Sequence, residues 1–207
     1  MNILSTWILS VMLSIAPIEK LAPVYHETPE SMKARYEQIA DDMTTSINSQ
    51  PKLFSTDDAE KDVVKEAALL TSIAFHESNF RKDVDEGKVR GDHGRSWCLM
   101  QINIGNGHVT VGDNEMQKWK GIDLIKDRTK CFRASVEILR TSMEACKKLK
   151  GSGVLSGYTT GRCIPNERTA KVRWDFHLDI LKRFVYPAPT TNQEVLDEKE
   201  AILTTIN

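Results

Sequence analysis

The chain has 207 residues, 40% hydrophobic and 28% charged, with 28 Lys+Arg against 29 Asp+Glu. That length holds one domain with appendages or two small ones, and the balance excludes a wholly disordered chain, a collagen and a dedicated nucleic-acid packaging protein. Residues 1–60 carry nine acids and four bases, residues 120–185 seven acids and fifteen bases, and residues 187–207 four acids and one base; a basic middle points to an anionic polymer as partner, whether nucleic acid, anionic lipid or wall glycan.

Residues 3–16 are apolar, too short for a comfortable membrane span and the right length for the hydrophobic region of an export signal. No Lys or Arg precedes them, and Pro17 directly follows the small-residue site Ser14-Ile15-Ala16. Two readings therefore stand: an export-like segment and linker over residues 1–29, or a buried or interfacial N-terminal helix. Residues 30–49 are predicted helical, with Met32, Tyr36, Ile39, Met43 and Ile47 on one face. Gln50-Pro51 breaks the pattern, and Ser55-Thr56 followed by Asp57-Asp58 predicts the N-terminus of a second helix, which runs to about Ser78. Its apolar stripe is Val63, Ala67, Leu70 and Ala74, and the next member of the series is Glu77.

Residues 81–121 are rich in Gly, Asp and Asn and predict a loop-rich lobe with short strands near 98–104 and 109–111. Asp123 is expected to cap a third helix over 124–149, ended by Gly151 and Gly153. A short helix or turn over 154–163 precedes Pro165, and a last helix over 167–184 carries Val172, Phe176, Asp179 and Ile180. Pro187 and Pro189 close a domain of residues 30–186, and an acidic tail over 187–207 follows.

Cys98, Cys131, Cys146 and Cys163 are separated by 33, 15 and 17 positions, with no C-x-x-C and no paired Cys/His spacing of a zinc site. An even count in one stretch fits two disulfides. The expected pairing is Cys98 with Cys131 and Cys146 with Cys163; the two other pairings and four buried free thiols are the alternatives. Disulfides place the protein outside a reducing cytosol, exported to the periplasm or carried on a virion.

Glu77 takes a core-facing position at the C-terminal end of its predicted helix, preceded by Ala74 and Phe75 and followed by Phe80. Apolar surroundings and the negative end of the helix dipole both disfavour an ionised carboxylate. A carboxylic acid kept protonated is what cleavage of a glycosidic bond requires of its general acid. The plainer alternative is a Glu turned to solvent where the helix frays.

Glu77-Ser78-Asn79-Phe80, then Leu99-Met100-Gln101-Ile102-Asn103, then Gly157-Tyr158-Thr159-Thr160-Gly161 resemble, in order and spacing, the three signature blocks of the lysozyme-like lytic transglycosylases: E-S-x-F, G-L-M-Q-I and A-Y-N-A-G. The resemblance covers about residues 65–175. It implies a mainly α, lysozyme-like α+β fold, in which a helical bundle and a small loop or β lobe form a glycan groove. It also implies that Glu77 is the catalytic acid and Ser78 helps orient the substrate. By the same resemblance the backbone near Met100 and the Gln101 side chain line the groove, and Tyr158 positions the acid or the acetamido group. Cys98 stands where the family has Gly, which fits a disulfide-bearing subgroup. Thr159-Thr160 replace the Asn-Ala of the third block, so the role of that Asn is unfilled or taken over by Thr159. Gly91-Asp92-His93-Gly94 resembles the G-D-x-G segment of goose-type lysozymes, which implies that Asp92 holds the attacking water. With Asp92 as base the sugar is hydrolysed with inversion; without it the sugar's own 6-hydroxyl attacks and leaves an anhydro end. The plainer reading of Asp92 is an Asx-turn residue in a tight Gly loop.

Other residues offer less. His76-Glu77 opens as the zinc-protease pattern H-E-x-x-H does, but Phe80 stands where the second His is needed. His93 and His108, near Asp92 and Asp113, lack ligand spacing and read as polar loop residues. Trp97 and Trp119 either stack on sugar faces or belong to the core. The basic face over 126–183 has no reading helix or aromatic platform for specific nucleic-acid binding. The expected function is cleavage of the β-1,4 bond between N-acetylmuramic acid and N-acetylglucosamine, by a monomer that needs no metal or cofactor and has peptidoglycan strands as its partner. The alternative is a structural component of a virion, secretion machine or other envelope-penetrating assembly, bound to envelope or virion proteins, which holds glycan and cuts it slowly.

Overall fold

The computed structural model describes residues 1–104, 107–112 and 117–187. In chain order its elements are α1 (Ile3–Ile15), α2 (Ile18–Leu21), α3 (Pro29–Asn48), α4 (Ala59–Ser78), the single turns α5 (Lys82–Asp85) and α6 (Gly91–Gly94), and the strands β1 (Ser96–Trp97), β2 (Ile102–Asn103), β3 (Val109–Val111) and β4 (Gln117–Trp119). There follow α7 (Gly121–Lys126), α8 (Arg128–Ala145), a 3-10 turn (Gly151–Leu155), α9 (Ser156–Thr160) and α10 (Arg168–Arg183). The protein is mainly α, with a small lobe in which β1 pairs β2 and β3 pairs β4, both antiparallel.

α4 is the axis of the bundle. Ala67, Ala68, Leu69, Leu70, Ile73 and Ala74 are all fully buried, because α1, α3 and α10 all pack against this helix and its small side chains let them approach. On α3 all five predicted apolar positions are fully buried. Thr28 caps that helix, its hydroxyl accepting the Ser31 N–H at 3.1 Å, with Pro29 in the first turn. The start of α4 differs from expectation. Asp58 is the cap, accepting the Lys61 N–H at 3.0 Å, because Thr56 is engaged by Asp62, to which its N–H and hydroxyl donate at 2.6 and 2.7 Å.

On α1, Leu4, Trp7, Ile8, Val11 and Met12 recur at helical spacing and are buried against α3 and α4. The Trp7 indole N–H donates to the Phe184 carbonyl at 3.3 Å, joining the two ends of the described chain. Residues 3–15 are thus a buried helix here, and the boundary expected after residue 29 has no counterpart in the packing: one core runs from Leu4 to Ile180. Among the described residues no helix is long and apolar enough to cross a membrane. The tail beyond residue 187 lies outside the described residues, as does Asp113.

The single helix expected over 124–149 is two. α7 and α8 meet at Asp127, which is extended (φ −142°, ψ 99°) and caps α8 by accepting the Lys130 N–H at 3.3 Å. Asp123 sits inside α7 and accepts the Lys120 N–H at 2.8 Å. Apolar periodicity continues across this break, so only the competing cap residue marks it. Disulfides join Cys98 to Cys131 and Cys146 to Cys163, the expected pairing; the first ties the β lobe to α8, the second ties the end of α8 to the loop after α9. Two disulfides fit an oxidising, non-cytosolic environment.

Candidate active site

The end of α4 is fastened tightly. Asn79 (φ 50°) and Phe80 (φ 52°) are both left-handed, a conformation that costs a side-chain-bearing residue roughly 1–2 kcal/mol and that stops the helix at once. Burial of Phe80 offsets this: its ring lies edge-on to Tyr36 at 5.7 Å, and its carbonyl accepts the Arg35 guanidinium, which is itself paired with Glu27. The Ser78 hydroxyl donates to the Ala74 carbonyl at 2.8 Å and accepts the Phe80 N–H at 3.3 Å. Ser78 is therefore buried in the helix end, where its hydroxyl holds the last turn, and it does not line the cleft. The last turn of α4 places Glu77 in a cleft.

That cleft has a volume of about 550 Å³, and Glu77, Asp92, Gln101, Asn103, Tyr158 and Thr159 are among its lining residues. The structure thus brings together Glu77, Asp92, Gln101, Tyr158 and Thr159 of the predicted site and leaves Ser78 and Met100 behind it. Met100 is fully buried; its contribution is its carbonyl, which accepts the Tyr158 hydroxyl at 3.0 Å. Gln101 (φ 46°) is spent on its own loop, its side-chain carbonyl accepting the Gly91 N–H at 2.8 Å and its amide donating to the Cys98 carbonyl at 3.0 Å. Tyr158 is aimed by α8. Its N–H donates to the Ser142 hydroxyl at 2.8 Å, and a Cβ on Gly157 would stand 2.6 Å from that oxygen, so only glycine lets α9 approach so closely. The Thr159 hydroxyl donates to Glu167 at 2.9 Å, and Glu167 in turn caps α10; Thr159 lines the cleft with its hydroxyl already engaged.

The two carboxyls differ in every respect that sets proton affinity. The Glu77 side chain is 20% exposed, and burial raises its pKa above the usual 4.5; Arg173 pulls it down, and the charge of Asp92 pushes it up again. Asp92 is exposed in a loop where it and His93 are both left-handed (φ 49° and 57°). Its Oδ2 accepts the Ser96 hydroxyl at 2.6 Å and the Asn103 amide at 3.0 Å, and these two bonds hold its pKa below the usual 3.8. Ser96 and Asn103 face each other across β1 and β2. The hairpin thereby presents two donors to one carboxylate.

Arg173 was not legible as a site residue. It donates from Nε and Nη2 to Glu77 Oε1 at 3.0 and 2.7 Å, and from Nη1 to the Thr169 carbonyl at 3.1 Å. Of the stripe expected on the last helix, Ile180 is fully buried but Val172 is 45% exposed, and the buried face is Ala170, Arg173, His177 and Ile180. An Arg and a His at helical spacing between two apolar residues are the signal that marks this face. Ser96 carries no comparable signal, since it belongs to no periodic pattern, and Asn103 ends the second sequence block without a role of its own.

The remaining candidates lie elsewhere. Trp97 packs against Gly121, where a Cβ would fall 2.1 Å from the indole, and the Arg90 guanidinium lies 4.3 Å from its ring. Trp119 is buried beneath Arg133 and Lys130. His93 and His108 are exposed, and among the described residues no group of three or more His, Cys, Asp or Glu is placed to hold a metal ion. Comparison with family models, with curated proteins and with solved structures finds no match for this chain.

Proposed function

We propose that this protein cleaves the β-1,4 bond between N-acetylmuramic acid and N-acetylglucosamine in peptidoglycan, with Glu77 as general acid and then base. The observation that carries the reading is the pair of carboxyls in one cleft whose surroundings drive their proton affinities apart, Glu77 upward by burial and Asp92 downward by the Ser96 and Asn103 hydrogen bonds. The resemblance of three sequence blocks to lysozyme-like lytic transglycosylases supports it as well, since residues from each block line that cleft.

In this mechanism protonated Glu77 gives its proton to the leaving glycosidic oxygen, and the sugar passes through an oxocarbenium-like state. Water held by Asp92, or the sugar's own 6-hydroxyl, then captures that cation and returns a proton to Glu77. An exported or virion-borne protein meets its wall substrate in the oxidising setting that two disulfides require. A second reading, a glycan-binding component with little turnover, is favoured by one contact: Arg173 pairs with Glu77 in the free protein and stabilises its ionised form.

The test is mass spectrometry of muropeptides released from purified peptidoglycan by the wild type and by Glu77→Gln. The expected outcome is soluble muropeptides from the wild type and none from the variant. Anhydro-muramic ends identify attack by the 6-hydroxyl, and reducing ends identify water. A folded wild type that binds the wall and releases nothing sinks the enzyme reading and leaves the binding component.

A further inference from the structure

The contact between Arg173 and Glu77 is one-sided. Both guanidinium N–H donors that reach the carboxyl end on Oε1, at 2.7 and 3.0 Å, and Oε2 makes no hydrogen bond among the described residues. The guanidinium is not free to follow the acid. Arg173 is 9% exposed, its third nitrogen is held by the Thr169 carbonyl, and its own carbonyl accepts the hydroxyl of fully buried Ser72 at 2.7 Å, one and a half turns back along α4 from Glu77. The acid and the cation that grips it are thus stapled across one helix pair.

We propose that Arg173 is the positioning residue of the acid: by engaging Oε1 with two donors it assigns the transferable proton to Oε2 and holds that oxygen toward the cleft. An oxygen that accepts two guanidinium N–H bonds is a poor place for a proton, so the proton resides on the other oxygen. This inference rests on the glycosidase reading and gives its acid a geometry. When the glycosidic C–O bond breaks, the leaving oxygen keeps the bonding electron pair and takes the proton from Oε2. The carboxylate left behind then carries its new charge against Arg173. Water or the sugar's 6-hydroxyl adds to the cation, and the proton it releases returns to Oε2. Arg173 therefore makes Glu77 a stronger acid at the moment of transfer, while burial raises its proton affinity beforehand. Asp92 and Tyr158 are the other titratable groups that share the cleft with this carboxyl.

The experiment is NMR of the full chain, following the Glu77 carboxyl carbon, assigned by its loss in Glu77→Gln, and the Arg173 Nε–H signal across pH. In the wild type the Arg173 signal is expected to titrate with the midpoint of Glu77. In Arg173→Gln the Glu77 midpoint is expected to rise by about one unit or more, the usual size of an adjacent opposite charge. The alkaline limb of wall digestion should move up by the same amount while kcat falls and KM holds. Arg173→Lys, which keeps the charge and loses the fork, should restore most of the midpoint and little of kcat. An Arg173 signal that stays flat through the Glu77 titration overturns the assignment without any variant, so a misfolded Arg173→Gln does not shelter it. A wild type that shows the coupled titration and releases no muropeptide overturns the glycosidase reading and this role with it. An active wild type with uncoupled signals overturns the role of Arg173 alone.

Discussion

Burial raises the Glu77 pKa while the Ser96 and Asn103 hydrogen bonds lower that of Asp92, and that difference defines a pH window. On the proposed route in which Asp92 holds the attacking water, turnover needs Asp92 ionised and Glu77 protonated. The rate is therefore expected to climb as pH rises through the Asp92 value, below 3.8, and to fall as pH rises through the Glu77 value, above 4.5. Glu77→Gln should lower muropeptide release by at least about 10²-fold, the low end for loss of a general acid. Asp92→Asn separates catalysis from loop-turning: a base or water-holding role removes the acidic limb of the profile, whereas a purely local turn leaves both limbs and lowers the whole curve. His177 titrates for a different reason. It is 2% exposed, stacked on Phe54 and edge-on to Trp174, and burial lowers its pKa from 6.5 to about 4. Its neutral form contributes stability that is complete above pH 6.5 and is lost as pH falls toward 4, because there the unfolded chain binds the proton and the folded one does not. The loss is roughly 3 kcal/mol at full extent. Thermal melts at pH 7 and pH 4.5 should therefore converge in His177→Phe, and an unchanged pH dependence in that variant would place the acid sensitivity elsewhere.

At the scale of elements, what periodicity governs was legible and what local contacts govern was not. The apolar face of α3 could be read residue by residue, because every member meets the same core. On α4 the stripe ends at Glu77, the carboxyl that lines the cleft, although the helix is buried well beyond one stripe. On α10 Val172 and Phe176 outweigh an Arg and a His in any hydrophobic pattern, yet Arg173 holds the Glu77 carboxyl and His177 fills the core beside the expected Ile180. Motif position puts Ser78 and Met100 in the site, yet both lie behind the cleft, Ser78 in the helix end and Met100 meeting Tyr158 through its carbonyl. The β lobe shows why short strands are hard to read: its register rests on close approaches. Trp97 stands directly opposite Ile102 in the hairpin and lies flat on Gly121, the first residue of α7. A Cβ there, 2.1 Å from the indole, forces Trp97 to move. Gly121→Ala is expected to cost about 1–3 kcal/mol as an overpacked contact. It should also lower turnover, since Ser96, next to Trp97, donates to Asp92. A melting temperature equal to that of the wild type would show that the lobe yields freely.

Over the whole molecule the cleft lies between parts that two disulfides tie to α8, and the two bonds differ in exposure. Cys98 and Cys131 are 2% and 1% exposed, and Cys146 is 1% exposed, whereas Cys163 lies in the open on the loop after α9. Thiol–disulfide exchange needs a line of approach to one sulfur. A mild reductant is therefore expected to open Cys146–Cys163 first, while Cys98–Cys131 persists until the core loosens. The loops closed span 33 and 17 residues, for which chain entropy gives about 3 to 4 kcal/mol each, a substantial share of the roughly 5–15 kcal/mol that a domain commonly has. The first reduction should leave the helices intact and act on the cleft, because Thr160 to Cys163 follow directly on Tyr158 and Thr159, and freeing them from α8 loosens α9. Timed alkylation with peptide mapping reads the order of opening, circular dichroism reads the helices, and muropeptide release reads the cleft. Wall cleavage falling with the first bond, before helicity changes, is the expected sequence. Equal opening rates, or loss of Cys98–Cys131 first, would mean that the core around α8 opens more readily than its burial implies.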